Sequence, residues 1–239
     1  MKHAPFHQAD AVEQRRVGMA ECGWRGLSDG WMLRHLGDLH WRLIAAALGQ
    51  QTTIFAAAEG APVYAAFCVI SERILHPARA RPGAMMTIAA RLRRLSPKRL
   101  VSFHHLSIGE TLFAEVTMFT AFVRHGEASG NAISAARRRR GIWTCGRWRR
   151  GRIAALSIRP PGSIVAGRRR SRYRGTRSMS PPCPQPILMR RGCLYCANYP
   201  ALADRAEWQL RPDMARRPLV ARDIVYLGMS IRVSVSRRP

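Results

Sequence analysis

Three side chains in the first part of the sequence carry groups that could take part in a reaction. Asp38 and His40 lie in the stretch GDLHW, and Tyr64 lies in the stretch PVY. Histidine can act as a base near neutral pH, and a polar residue beside the free amides of a helix start can help to stabilise an oxyanion. A phenol with its ordinary pKa of about 10 is a poor nucleophile, so Tyr64 would need a base or hydrogen-bond donors nearby.

Each of these residues also has a structural interpretation. His40 falls on the apolar side of a predicted helix, where a lone histidine is more often a hydrogen-bonded core residue. Asp38 could be the N-cap of a helix. Tyr64 could be a core tyrosine whose hydroxyl bonds to the backbone. The sequence leaves both interpretations open for all three.

Other reactive residues do not form a convincing set. His104 and His105 are neighbours on a predicted strand, so they point to opposite faces and cannot share a site. Cys193 and Cys196 form a single C-x-x-C pair without the second pair of ligands that zinc requires, so we expect no metal site. Cys68 reads as a small core residue. Neither a glycine-rich phosphate loop nor a G-x-S-x-G motif is present.

The net charge of +26 is concentrated in one segment. Residues 137–192 contain 17 arginines and no acidic residue, with Trp143, Trp148 and Tyr173 among them. Arginine and aromatic side chains together can bind single-stranded nucleic acid through charge and stacking. However, no nucleic-acid-binding fold signature surrounds the segment. Its basic residues are all arginine, whereas a surface that binds phosphate has no physical reason to exclude lysine. We expect only non-specific binding of nucleic acid, and a basic nucleic-acid-binding protein stays as the alternative.

The residues around Asp38 and His40 predict a helix. Apolar residues and His40 recur at spacings of three and four between Leu33 and Ala47. Ser28 or Asp38 could begin the helix and Gly49 could end it. Gly37 permits two short helices in place of one long helix.

Strands follow this helix. The stretch 62–70 is apolar on both faces and predicts a strand buried from both sides. The stretch 84–92 alternates, and 98–108 and 111–125 predict two long strands joined by a turn at Gly109 and Glu110. A long apolar helix followed by an antiparallel meander can be buried completely inside a curved sheet. The predicted fold class is therefore α+β, in the hot-dog arrangement.

The last third of the sequence divides at the arginine-rich segment. Periodicity is lost between 137 and 190 and returns in 193–210, which predicts a strand end, a turn and a helix. The stretch 218–239 predicts one strand. We therefore expect a first hot-dog domain at 18–134, an irregular and disordered segment at 135–192, and an incomplete second hot-dog at 193–239.

Four stretches carry a resemblance to a known family. The sequences GLSDGWMLRHLGDLHWRLIAAALG and GAPVYAAFCVI resemble the first half, and LYCANYPALADRAEWQL and ARDIVYLG the second half, of the double hot-dog acyltransferase/decarboxylases of polyketide biosynthesis (the leinamycin type). The resemblance implies acyl transfer from malonyl- or methylmalonyl-CoA to an acyl carrier protein, with decarboxylation. It implies Tyr64 as the acyl acceptor, acyl-CoA as substrate, and no tightly bound cofactor.

The arginine-rich segment departs from this family. It stands where a linker and the first strand of the second hot-dog belong, which fits a coding sequence read in a shifted frame over 137–192. Two alternatives correspond to this departure. The chain is an inactive remnant of the enzyme, or two copies form a homodimer that supplies the missing half.

No apolar run reaches the roughly 20 residues of a membrane span, and the first residues lack a secretory signal. We expect a cytoplasmic protein.

Overall fold

The computed structural model describes residues 7–23, 26–56, 60, 62–125, 133–135, 196–227 and 230–237. The arginine-rich segment at 137–192, with its predicted disorder and frame shift, lies outside the described residues. No helix in the described part of the chain is long and apolar enough to cross a membrane.

A single long helix, α1, spans Asp29–Ala47. Ser28 is its N-cap, with Oγ accepting a hydrogen bond from the backbone amide of Trp31 at 3.3 Å. Gly37 is buried inside the helix and does not break it. The predicted helix is confirmed, whereas a second helix capped by Asp38 does not form, because the hydrogen bonds of α1 run through that position.

Eleven strands and two further helices complete the described structure. The strands are β1 (Ala9–Arg16), β2 (Cys22–Gly23), β3 (Gly26–Leu27), β4 (Phe55–Ala56), β5 (Pro62–Ile74), β6 (Met85–Ser96), β7 (Arg99–Ile108), β8 (Thr111–His125), β9 (Ile133–Ala135), β10 (Leu219–Leu227) and β11 (Ser230–Arg237). The further helices are α2 (Tyr199–Leu210) and α3 (Pro212–Ala215). The main sheet is antiparallel in the order β1-β6-β7-β8-β5-β10-β11, with β4 on β5 and β9 on β8.

The sheet curls around α1 and encloses the core. On β6, the alternate residues Met86, Ile88, Ala90 and Leu92 are buried, as the sequence alternation predicts. They face the apolar side of α1, where Leu36 is completely buried. A curved antiparallel sheet wrapped around a buried helix is the hot-dog fold, so the predicted fold class is confirmed.

Strand β5 differs from its prediction in how it is buried. Ala65, Phe67 and Ile70 face the core, while residues on the other face are only half-buried or exposed. A register shift between Phe67 and Val69 marks a bulge. The prediction of a strand buried on both faces is wrong, because only one face of the sheet lies against α1.

The last part of the chain joins the same sheet. Strand β10 pairs antiparallel with β5, and β11 pairs with β10. The single strand predicted over 218–239 is therefore wrong, since this stretch contains two strands that pair antiparallel with each other. At the other end of the sheet, β1 pairs with β6, so residues before position 18 also belong to this sheet.

Candidate functional site

A cavity of about 730 Å³ lies at the start of α1, where α2 and β10 pack near it. It is open to solvent on one side and mainly apolar in its lining. The first turn of α1 forms one wall, and α2 and β10 form another. Its polar lining residues are Ser28, Asp29, Arg34, Asp204, Arg205 and Arg222.

Arg222 is the most deeply buried charge of this cavity. Its side chain is completely buried and its guanidinium is surrounded by three carboxyl groups. Nη1 lies 3.2 Å from Oδ2 of Asp29, Nη2 donates to Asp204, and Nε lies 3.6 Å from Oε1 of Glu72. These contacts join β10 to α1, α2 and β5. A buried charge is tolerated only when it is paired, so the cluster fixes how the four elements meet.

Glu72 is the buried acid of the cluster. Neither of its carboxyl oxygens has a hydrogen-bond partner among the described residues, although Arg222 is close. Burial raises the pKa of Glu72 to about 8, with the negative charge of Asp29 adding to the rise and Arg222 opposing it. At neutral pH the side chain is therefore mostly a neutral acid, while Arg222 is balanced by the two aspartates.

The first turn of α1 supplies backbone amides to the cavity. Amides of the first turn precede the helical hydrogen bonds and carry the positive end of the helix dipole. Asp29 and Gly30 are the first two residues of α1, and both line the cavity. The guanidinium of Arg34 lies over Gly30, where an added Cβ would stand 3.6 Å from Nη1. An anion or a polarised carbonyl oxygen would be stabilised at this position.

His40 belongs to a different buried group, in the core between α1 and the sheet. Its Nδ1 lies 2.6 Å from Oγ of Ser102, and its Nε2 lies 2.9 Å from Oγ1 of Thr120. Ser102 also bonds to Nε2 of His104 at 2.7 Å. Burial lowers the pKa of each histidine to about 3, so both rings are neutral. Neither histidine lines the cavity, and the group links α1 to β7 and β8.

Asp38 and Tyr64 also lie outside the cavity. Asp38 is exposed and its Oδ2 lies 3.1 Å from Nε of Arg42, one turn along the helix. Tyr64 is 38% exposed near the start of β5, whereas Ile74 at the other end of that strand lines the cavity. At roughly 3.3 Å per residue, the two positions are about 30 Å apart. None of the three candidates lines the cavity: His40 is enclosed in the core, whereas Asp38 and Tyr64 are exposed.

The two neighbouring histidines on β7 follow their predicted placement. His104 is buried and His105 is largely exposed, as expected for neighbours on a strand. Cys196 is half-buried, and burial raises the pKa of its thiol to about 12, while Cys193 lies outside the described residues. Within the described ranges, no group of three or more His, Cys, Asp and Glu side chains is placed to hold a metal ion.

The buried cluster around Arg222 was missed by sequence reasoning. A signal was present: Glu72 and Arg222 each occupy an inward position of an alternating strand, next to buried Ile70 and Ile224. A single inward charge predicts only a buried partner somewhere in the fold. About 150 residues separate the two, so the sequence does not say that each is the partner of the other.

Comparisons with known proteins give structural neighbours only. No family model matches the sequence, and the search of curated proteins found no match. The 12:0-ACP thioesterase from Umbellularia californica is 9% identical, with a TM-score of 0.53, over 95% of this chain and 81% of that chain. A probable thioesterase from Bartonella henselae is 18% identical (TM-score 0.40; 49% and 92%). The 1,4-dihydroxy-2-naphthoyl-CoA thioesterase from Synechocystis is 12% identical (TM-score 0.39; 49% and 85%). At these identities the likeness is one of fold, and that to the Umbellularia protein agrees with the hot-dog architecture traced above.

Proposed function

We propose that the chain is an enzyme acting on acyl thioesters. In the finer form of the proposal, it takes a malonyl or methylmalonyl group from CoA, removes the carboxylate as CO2, and delivers the remaining acyl group to an acyl carrier protein. The observation that supports this most directly is the cavity at the start of α1, where first-turn amides and arginines meet. The Umbellularia protein of the same fold is named as an acyl-ACP thioesterase, which is compatible with thioester substrates.

The amides of Asp29 and Gly30 would receive the thioester carbonyl oxygen. Loss of CO2 breaks the bond between the carboxylate and the α-carbon and leaves its electron pair in an enolate, which then takes a proton from water. Attack by a carrier thiol instead places negative charge on the same oxygen and expels the CoA thiolate. In both steps the helix start stabilises the developing oxyanion, and fixed donors of this kind are effective in a site shielded from water.

The charges of the cavity favour an acyl group that is itself anionic. Arg222 is already balanced by Asp29 and Asp204, so it offers little to a further carboxylate. Arg34 and Arg205 also line the cavity, and neither is ion-paired within the described residues. We assign Arg34, which lies over Gly30, to the free carboxylate of a malonyl-type substrate.

Tyr64 remains the proposed acyl acceptor on the basis of the family resemblance alone. Because it lies about 30 Å along β5 from the cavity, a tyrosyl intermediate and direct transfer in the cavity are alternative routes. Intact mass of the protein after incubation with methylmalonyl-CoA separates them. An acyl adduct that disappears in Tyr64→Phe supports the tyrosyl route, and turnover without an adduct supports direct transfer.

The decisive experiment incubates the full chain with malonyl- or methylmalonyl-CoA and a phosphopantetheine-bearing carrier protein. We expect acetyl- or propionyl-carrier protein by mass spectrometry, with one CO2 lost for each CoA released. Release of the free acid would show that the enzyme hydrolyses the thioester and does not transfer the acyl group. Failure to consume any acyl-CoA would overturn the proposal.

A substrate pair tests the assignment of Arg34. Arg34→Gln should raise the KM for malonyl-CoA about tenfold or more, since a charge-assisted hydrogen bond is lost, and should leave acetyl-CoA unaffected. Arg94→Gln is the matched control, because Arg94 lies near the C-terminal end of β6, away from the loop between β5 and β6. Equal effects on both substrates would contradict a role in binding the carboxylate.

A further inference from the structure

A second cavity adjoins the first along the loop between β5 and β6. Its volume is about 510 Å³, and its lining comes from His76, Pro77, Ala78, Arg79, Arg81 and Ile108. Pro77 also lines the cavity at the start of α1. The two cavities are therefore neighbours on one face of the molecule, with Pro77 between them.

The loop that forms this second cavity is held at both ends. The amide of His76 donates to the carbonyl of Phe113 at 3.2 Å, and the amide of Gly83 donates to the carbonyl of Val17 at 2.7 Å. A short 3-10 turn at Pro77–Arg79 shapes the middle of the loop. Backbone bonds to β8 and to the segment after β1 therefore fix the loop in place before any ligand arrives.

The loop is also fixed against the start of α1. Gly26 precedes the N-cap of α1 by two residues and has a φ of 115°. A Cβ at this position would lie 2.6 Å from the carbonyl oxygen of Pro77, so only glycine permits this close approach. The distance between the helix amides and the second cavity is thus set by direct backbone contact.

The second cavity is strongly basic. Arg79 and Arg81 are both exposed, and neither is ion-paired within the described residues. The loop sequence LHPARARPGA contains no acidic residue. Nε of Arg81 donates to the carbonyl of Ala78 at 2.9 Å, which orients its guanidinium. Two arginines and an imidazole around one hollow form a site suited to a phosphate group.

We propose that this basic cavity, which we call the Arg79–Arg81 site, binds the phosphates of the phosphopantetheine group that carries the acyl chain. The inference rests on the proposed function, since it gives that thioester substrate a second point of attachment. Phosphate and thioester sulfur stand at opposite ends of the pantetheine chain, so the phosphate site must adjoin the acyl cavity without overlapping it. The arrangement on either side of Pro77 meets this requirement.

The phosphate can come from two sources, CoA or a carrier protein. CoA carries a diphosphate and a ribose phosphate, while a carrier protein holds pantetheine through a single phosphodiester. Arg79→Gln/Arg81→Gln should raise the KM for malonyl-CoA about tenfold or more and leave that for a malonyl-pantetheine thioester without phosphate unchanged. The KM of the same variant for malonyl-carrier protein shows whether the carrier's phosphodiester binds at the Arg79–Arg81 site.

A charge-matched control removes two cations elsewhere. Arg94→Gln/Lys98→Gln changes the last part of β6 and the turn after it, away from the loop, and lowers the net charge equally. We expect no change in KM from this variant. An equal effect of both double variants, or an equal rise in KM for the thioester without phosphate, would overturn the phosphate site.

Direct titration separates this inference from the proposed function. CoA itself, used as the probe, should bind the wild-type chain at least tenfold more tightly than the Arg79→Gln/Arg81→Gln variant, whether or not any thioester turns over. If CoA binds both proteins equally while malonyl-CoA is still consumed, the phosphate site is wrong and the enzyme assignment stands. If no thioester is consumed but CoA binding depends on the two arginines, the phosphate site stands and the enzyme assignment is wrong.

Discussion

Glu72 on β5 and Arg222 on β10 are directly opposite each other in the sheet, and both side chains are completely buried. Their strands are far apart in the sequence and adjacent in the sheet. The pair therefore joins the last part of the chain to β5, with Asp29 and Asp204 completing the charge balance from α1 and α2.

Removing Arg222 should destabilise the fold strongly. Arg222→Met would leave three buried or half-buried carboxyl groups without their cation, and loss of one member of a buried pair costs about 3–5 kcal/mol. Urea denaturation should show this fall in the free energy of unfolding. Arg91→Met, which removes a surface partner of Asp10, should change it by less than about 1 kcal/mol. A similar small effect at Arg222 would show that the cluster does not hold β10 to α1, α2 and β5.

The two core histidines should make the protein acid-sensitive. Their pKa values fall from 6.5 to about 3 on folding, so the unfolded chain binds more protons between these limits. The stability is complete above pH 6.5 and is lost as the pH falls towards 3, at about 1.4 kcal/mol per pH unit for each histidine. Urea midpoints across this range measure the slope.

His104→Gln should remove about half of that slope and retain a hydrogen bond to Ser102. Gln14→Ala, at a position on β1 that does not titrate, serves as the control for the effect of a substitution as such. An unchanged slope in His104→Gln would mean that this histidine titrates normally in the folded protein.

Glu72 should produce the opposite dependence on the alkaline side. Its pKa rises from 4.5 to about 8, so the folded state keeps a proton that the unfolded state has lost. This contribution is complete below pH 4.5 and is lost as the pH rises through 8. With the histidines, it places the greatest stability near pH 6.5.

Glu72→Gln should flatten the decline between pH 6.5 and 8, because glutamine keeps the shape and does not titrate. Glu115→Gln, at a partly exposed position on β8, is the matched control. The assignment fails if thermal unfolding shows the same decline in Glu72→Gln as in the wild type.

Gly26→Ala should disturb both the fold and the relation between the two cavities. The added Cβ meets the carbonyl of Pro77 and the φ of 115° disfavours alanine, so a loss of about 1–3 kcal/mol is expected. Gly49→Ala shares the positive φ, at 67°, but its Cβ would meet nothing within 4 Å. Only Gly26→Ala should also raise the KM for acyl-CoA, and equal kinetics for the two variants would contradict this.

The fold was more predictable than the site, for a physical reason. The stripe from Leu33 to Ala47 and the alternation of β6 are local patterns, and the structure follows both. The cavity depends on Asp29, Asp204 and Arg222, which only the completed sheet brings together. Local pattern also placed His40 correctly on the buried side of α1, but could not say that its partners would be Ser102 and Thr120.

Strand β10 pairs with β5, which precedes it by about 150 residues in the chain, and this bears on synthesis. As the chain leaves the ribosome, α1 and the strands from β1 to β8 can pair as soon as they emerge. The outer edge of β5 stays open until β10 has followed. Open strand edges favour pairing with other chains, so newly made protein is most prone to aggregate in that interval. The edge of β5 is covered once β10 pairs with it and brings Arg222 beside Glu72.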